Sequence, residues 1–139
     1  MIVKDIMSKN VIVVEPTAKL NDVAKKMKEH DCGSILVASE DRLLGVITDR
    51  DLTLRSIAES LNPSETTADK VMTKEVLYCR ESDDIASVAE NMTRNKVRRL
   101  PVLDANKRLV GIISLGDIAA NGNDEKISGS ALGSICKAA

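Results

Sequence analysis

At 139 residues, 43% apolar and 29% charged, the chain fits one compact domain. Twenty basic residues against 21 acidic ones leave a net charge of −1, which argues against a duplex nucleic-acid partner. Tyr78 is the only aromatic residue, so the stacking platforms of single-strand binders are missing as well. No apolar run approaches the ~18 residues of a membrane span, and Met1-Ile2-Val3-Lys4-Asp5 does not open as a signal peptide. A cytoplasmic protein with no membrane association is expected. Cys32, Cys79 and Cys136 are far apart, odd in number and without a C-x-x-C pair. They read as structural thiols, and His30 beside Cys32 is too little for a metal site.

The elements follow in chain order. Val11-Ile12-Val13-Val14 is a short β-rich run closed by Glu15-Pro16. Thr17 is placed to cap a helix whose apolar face is Leu20, Val23, Ala24 and Met27. Lys19, Asp22, Lys25, Lys26 and Glu29 lie on its opposite face, toward water. Ser34-Ile35-Leu36-Val37-Ala38 and Leu43-Leu44-Gly45-Val46-Ile47-Thr48 form a hairpin across the polar Ser39-Glu40-Asp41-Arg42. A second helix covers 49–61 and stops near Asn62-Pro63. The same order then recurs: a strand from Val76, and a helix capped by Ser82 and running to Asn95, with Asp83 and Asp84 in its first turn. Strands follow at Leu100-Pro101-Val102-Leu103 and at Leu109-Val110-Gly111-Ile112-Ile113, then a short helix over 116–120. In the tail, Ile127, Ala131 and Ile135 with Leu132 suggest an amphipathic helix, weakened by Gly122, Gly129 and Gly133.

The recurrence extends to individual residues. At an offset of 65, Ile6-Met7-Ser8-Lys9-Asn10-Val11 falls on Val71-Met72-Thr73-Lys74-Glu75-Val76. One extra residue near Asp104-Ala105-Asn106-Lys107 moves the offset to 66, and Gly45-Val46-Ile47-Thr48 then meets Gly111-Ile112-Ile113-Ser114. The division expected is a first copy at 1–61, a linker at 62–67, a second copy at 68–120 and a tail at 121–139. A ~60-residue unit is marginal alone, so the copies are expected to share a core and form a symmetric groove.

Repeated polar side chains carry the functional argument. Thr48-Asp49-Arg50-Asp51 and Ser114-Leu115-Gly116-Asp117 each follow a buried strand and open a helix. Two readings fit: a capping box satisfying free backbone N–H groups, or ligand contact. In the second, the carboxylate holds ribose hydroxyls while the hydroxyl and helix start favour phosphate. Duplication beside aliphatic residues favours ligand contact. Arg98 and Arg99 precede Leu100-Pro101-Val102, where a guanidinium could fork onto phosphate. Gly33-Ser34 stands at that place in the first copy, so the two halves are electrostatically unequal. A lone His and scattered Cys offer no catalytic constellation, and no enzyme activity, catalytic cofactor or metal is expected.

Asp5-Ile6-Met7, Gly45-Val46-Ile47-Thr48-Asp49-Arg50-Asp51, Val97-Arg98-Arg99-Leu100-Pro101-Val102 and Gly111-Ile112-Ile113-Ser114-Leu115-Gly116-Asp117 form an ordered set of motifs. Together they resemble the paired cystathionine-β-synthase (CBS) motifs of a Bateman module, over nearly all of the chain except the tail. The resemblance implies an α+β fold, two β-α-β-β-α motifs packed with pseudo-two-fold symmetry through their sheets. It further implies a regulatory module binding AMP, ADP, ATP or a related adenosyl ligand such as NAD or S-adenosylmethionine in the cleft between the motifs. By the same resemblance Thr48, Asp51, Ser114 and Asp117 contact ribose and phosphate, and Arg98 and Arg99 reach phosphate. The base is then held near Asn10, Val11, Ile47, Glu75, Val76 and Ile113. A homodimer acting on an unidentified regulated protein is implied too. The alternative is a protein-interaction module with vestigial nucleotide sites, redox-responsive through its cysteines. The first copy departs from the pattern, with Leu36 in place of the Pro and Gly33 in place of the Arg.

Overall fold

The computed structural model describes residues 1–121; the amphipathic pattern of 127–135 and Cys136 lie outside the described residues. In chain order the elements are α1 (Val3–Ile6), β1 (Val13–Val14), α2 (Leu20–His30), β2 (Ser34–Ser39), β3 (Arg42–Thr48) and α3 (Asp49–Leu52). A π-helical turn (Thr53–Ile57) and a 3-10 turn (Ala68–Lys70) come next. β4 (Cys79–Arg80), α4 (Ile85–Asn95), β5 (Arg99–Leu103), β6 (Leu109–Ser114) and α5 (Leu115–Asn121) complete the described part. The expected α+β order, strand–helix–strand–strand–helix, is thus present twice.

Each copy forms its own three-stranded mixed sheet, β1-β2-β3 and β4-β5-β6, with the first pair parallel and the second antiparallel. The register is the same in both. Ser34 faces Thr48 as Arg99 faces Ser114, and both hairpins carry an irregularity, at Val37/Ala38 and at Val102/Leu103. Glu40 and Asp41, both at positive φ, close the first hairpin, as a two-residue turn matching strand twist requires. The second turn holds the extra residue. There Asp104 Oδ1 accepts from the N–H groups of Asn106 (2.8 Å) and Arg108 (2.9 Å), with Lys107 at φ 60°.

The helices bury the expected stripe with one exception. Leu20, Val23 and Met27 of α2 are buried, as are Ile85, Val88, Ala89 and Met92 of α4. Each large apolar side chain so buried stabilises by roughly 1.5–3 kcal/mol. Ala24, expected in the core, is exposed, whereas its counterpart Ala89 is buried. Lys26, expected in water, is half-buried and donates from Nζ to the Val13 carbonyl at 2.8 Å.

Several boundaries differ from expectation. Neither Thr17 nor Ser82 is a cap. Lys19 precedes the first turn of α2 without a side-chain capping bond, and Asp84 caps α4 by accepting from the Ala86 N–H at 3.0 Å. In both copies the chain makes one more backbone turn before the helix, so the hydroxyl falls short of the free amides. The edge strands are only two residues long, starting at Val13 and Cys79 rather than Val11 and Val76. The helix expected over 49–61 is α-helical for four residues, then widens into the π-turn, whose Ala58 N–H donates to the Thr53 carbonyl at 2.9 Å.

The described residues divide into two compact units, Ile12–Val76 and Met1–Val11 with 77–121. We call them the β1–β3 unit and the β4–β6 unit. The compact units are therefore offset from the sequence repeats: the leader of each repeat packs on the strands of the other. Ser8 exchanges two backbone bonds with Ile112, both 2.9 Å, and Val3 is buried in the β4–β6 core. Thr73 exchanges two with Val46, at 2.9 and 3.0 Å, and Ala68 and Val71 are buried in the β1–β3 core. Gly45 and Gly111 make these contacts possible. A Cβ on Gly45 would lie 2.6 Å from Met72 Sδ and 2.9 Å from the Thr73 carbonyl oxygen. One on Gly111 would lie 2.7 Å from Met7 Sδ and 2.8 Å from the Ser8 carbonyl oxygen.

Candidate functional site

β3 and β6 each end in a buried isoleucine followed by a hydroxyl residue. Ile47 and Ile113 are fully buried in the cores of their own units. Alternation then turns Thr48 and Ser114 outward, where the chain bends into α3 and α5. At Thr48 the exchange is reciprocal: the Thr48 N–H donates to Asp51 Oδ2 (2.9 Å) and the Asp51 N–H to Thr48 Oγ1 (3.1 Å). At Ser114 the N–H and the hydroxyl both donate to Asp117 Oδ2, each at 2.8 Å, and the Asp117 N–H returns to Ser114 Oγ at 3.0 Å. The capping box is therefore formed in both copies. It engages one carboxylate oxygen of each aspartate and leaves the other for a further partner.

Those remaining oxygens differ. Asp51 Oδ1 lies 3.7 Å from Arg55 Nε, whereas Asp117 Oδ1 has no partner among the described residues. The strand starts beside them differ as well. The Leu115 N–H donates to the Arg98 carbonyl at 2.9 Å and Arg99 pairs with Ser114, so both arginines stand at the Ser114–Asp117 corner. In the β1–β3 unit the Asp49 N–H donates to the Gly33 carbonyl at 2.9 Å. A Cβ on Gly33 would lie 3.2 Å from Asp49 Oδ2, so a carboxylate covers the position that Arg98 holds in the other copy.

The leaders carry the remaining residues expected at the site. Asn10 and Val11 follow Ser8 in the β4–β6 unit, and the Asn10 N–H donates to Ser8 Oγ at 3.3 Å. Glu75 and Val76 follow Thr73 in the β1–β3 unit. The residues expected to contact a ligand thus divide between the two units: Thr48, Asp51, Ile47, Glu75 and Val76 in one, and Ser114, Asp117, Ile113, Asn10, Val11, Arg98 and Arg99 in the other. Because the side chains of Ile47 and Ile113 fill the cores, these two positions offer a ligand only their backbone. The residue missed in the sequence is Arg55. Its signal was the acid-to-base spacing Asp51–Arg55, one helical turn apart.

Cys79 is chemically quiet. It is buried, its thiol donates to the Pro101 carbonyl with an S···O distance of 3.8 Å, and its pKa is pushed up to about 12. Burial is the main cause and the nearby Asp83 charge adds to it, against a smaller opposing backbone hydrogen bond. Cys32 is half-buried against the β1–β3 core. Among the described residues no three His, Cys, Asp or Glu side chains cluster as metal ligands, and no helix is long and apolar enough to cross a membrane.

A family model described as the CBS domain matches residues 3–57 and again residues 68–122. The chain belongs to the CBS domain family. It carries two copies of the CBS motif and is similar to CBS domain-containing protein YhcV of Bacillus subtilis (strain 168). Identity is 36% over 133 residues, covering 96% of this chain and 94% of that protein. The structure of this CBS pair is similar to a crystal structure of Hypoxic Response Protein I with two coordinated zinc ions. That match has a TM-score of 0.77 at 34% identity and covers 87% of this chain and 98% of the other. It also resembles the CBS domain pair of protein MJ0100 in complex with 5-methylthioadenosine and S-adenosyl-L-methionine. Here the TM-score is 0.73 at 28% identity, with 91% of this chain and 98% of the other covered.

Proposed function

We propose that this CBS pair is a regulatory module that binds adenosine nucleotides or related adenosyl ligands and catalyses no reaction of its own. The observation that carries the reading is the Thr/Ser–Asp corner built twice, with one oxygen of each aspartate engaged in its capping box. In this reading the other oxygen, which at Asp51 faces Arg55, accepts ribose hydroxyls. The similarity to a CBS pair complexed with two adenosyl compounds supports the same ligand class. Thr48, Asp51, Ser114 and Asp117 hold ribose and phosphate, and Arg98 and Arg99 take phosphate at their corner. Backbone groups at Asn10, Val11, Ile47, Glu75, Val76 and Ile113 hold the base. AMP, ADP and ATP are the first ligands to try.

Binding adds RT ln(1 + [L]/Kd) to stability, about 2.7 kcal/mol at a hundredfold excess over Kd. A thermal-shift panel of AMP, ADP, ATP, NAD, S-adenosylmethionine and 5′-methylthioadenosine should therefore show saturable stabilisation by at least one. A flat response across the panel would favour the second reading, a protein-interaction module with vestigial sites. One observation favours that reading: Leu54, Ile57 (71% exposed) and Leu61 present apolar surface along and just beyond the π-turn. Burial of Cys79 and the upward push on its pKa argue against that thiol carrying a redox response. A cytoplasmic homodimer acting on a regulated protein is also part of our reading, and in it these apolar residues meet their counterparts across the dimer. Light scattering should report twice the 15.0 kDa mass of one chain.

A further inference from the structure

The β1–β3 corner has Gly33-Ser34 where the other corner has Arg98-Arg99, yet it is not without a cation. After α3 the chain widens into the π-turn, a feature enriched at functional sites, and this turn carries Arg55. Arg55 Nη1 donates to the Val71 carbonyl at 3.1 Å and to Thr73 Oγ1 at 3.2 Å, while its Nε lies 3.7 Å from Asp51 Oδ1. The guanidinium is thus fixed on one side by the leader and on another by the corner carboxylate. Nη2 makes no bond among the described residues, and the side chain is 49% exposed. A held guanidinium with a free edge is pre-organised for an anion, because less rotamer entropy is lost when the anion arrives. At the corresponding place in the β4–β6 unit stands Asn121, whose Nδ2 donates to the Asp117 carbonyl at 3.1 Å. Each corner therefore has its own cation source, a strand start in one and a π-turn in the other.

We propose that Arg55 is the anion-receiving residue of the β1–β3 corner, meeting the 5′-phosphate of a nucleotide whose ribose is held by Asp51. The inference rests on the adenosyl-ligand reading above and adds to it that both corners accept phosphate-bearing ligands. The test uses the full chain with Arg98→Ala, Arg99→Ala and Asp117→Ala to silence the other corner. AMP is compared by calorimetry with 5′-methylthioadenosine, which keeps the ribose and lacks the phosphate. Arg55→Gln should lower AMP affinity at least ~10-fold, as loss of a charged hydrogen bond does, while 5′-methylthioadenosine changes little. Arg55→Lys should recover part of the AMP affinity. Equal losses for both ligands would make Arg55 only a clamp on the leader, and a gain for 5′-methylthioadenosine without loss of AMP would make it a mask over Asp51. Either result, or no change, overturns the proposal. A pyrophosphate titration of the wild-type chain, followed through the arginine Nε NMR signals, separates this inference from its parent reading. A response of the Arg55 signal with no adenosyl binding keeps the anion site and sinks the adenosyl reading. AMP binding with the Arg55 signal unmoved keeps that reading and sinks the role of Arg55.

Discussion

The two Thr/Ser–Asp corners have the same backbone and different charge. Thr48 and Ser114 end equivalent strands, face equivalent partners (Ser34 and Arg99) and close equivalent boxes with Asp51 and Asp117. Around that shared frame, the β1–β3 corner has Asp49 against Gly33, with Arg55 arriving from the π-turn. The β4–β6 corner has Leu115, Arg98 and Arg99, and Asn121 in place of Arg55. Duplication thus preserved what the main chain requires, and the charged side chains diverged on top of it. A capping box alone needs no arginine nearby, so a cation near both corners, from unrelated elements, supports the proposed ligand reading over simple helix capping.

The comparison is broken most sharply at the arginines. Replacing Arg98 and Arg99 together by Ala should weaken AMP binding at the β4–β6 corner by about 10- to 100-fold, since charged hydrogen bonds contribute roughly 1.5–3 kcal/mol. Adenosine should be nearly unaffected, because it offers no anion. Calorimetry with both ligands checks this, and equal losses would assign the arginines to folding. The next effect concerns the shared frame. Gly45→Ala and Gly111→Ala each force a Cβ against a backbone carbonyl oxygen at 2.8–2.9 Å, and overpacking of this kind costs typically 1–3 kcal/mol. Urea unfolding should show similar losses for the two, because the leaders pack alike. A loss confined to one would mean that the two leaders are not equivalent supports.

The smallest effect at neutral pH is at Cys79, which has no thiol counterpart in the β1–β3 unit, where Val14 holds the corresponding place. Burial pushes the thiol from its ordinary pKa of 9.0 up to about 12 in the folded chain. The folded state therefore binds the proton more tightly, and this contribution is fully present below pH 9 and lost as pH rises toward 12. Stability followed from pH 7 to 11 should fall above pH 9 in the wild type and less steeply in Cys79→Ala. At pH 8 the native thiol should resist a disulfide reagent that modifies the half-buried Cys32.

Much of this arrangement was legible in the sequence, because the residues involved answer to local rules. Leu20, Val23 and Met27 announce their helix by period, and Gly45-Val46-Ile47-Thr48 recurs as Gly111-Ile112-Ile113-Ser114 because strand, glycine contact and box are all needed together. What was not legible depends on placement in space. Thr17 and Ser82 have cap chemistry but stand too early in their turns, and sequence does not show where a helix's first amide points. The exchange of leaders was hidden too. Met7 resembles Met72 whichever unit it packs on, and only a carbonyl oxygen 2.8 Å from a would-be Cβ reveals that Ser8 lies over Gly111. Arg55 escaped because an acid and a base one turn apart usually form an unremarkable surface pair. Its bonds to Val71 and Thr73 arise only from the π-turn, which no residue pattern specified.

The adenosyl-ligand reading is tested most directly by calorimetry of AMP and 5′-methylthioadenosine on the wild type, Asp51→Ala and Asp117→Ala, well below their melting temperatures. Each substitution removes the carboxylate half of a capping box and should cost about 1 kcal/mol of stability, which thermal unfolding records separately. If the carboxylates accept ribose hydroxyls, each variant also loses about 10- to 100-fold in affinity at its own corner. The loss should appear for both ligands, since both carry the ribose. The contrary result is a pair of variants that melt earlier and still bind both ligands with wild-type affinity and stoichiometry, which would leave the two corners as caps and nothing more.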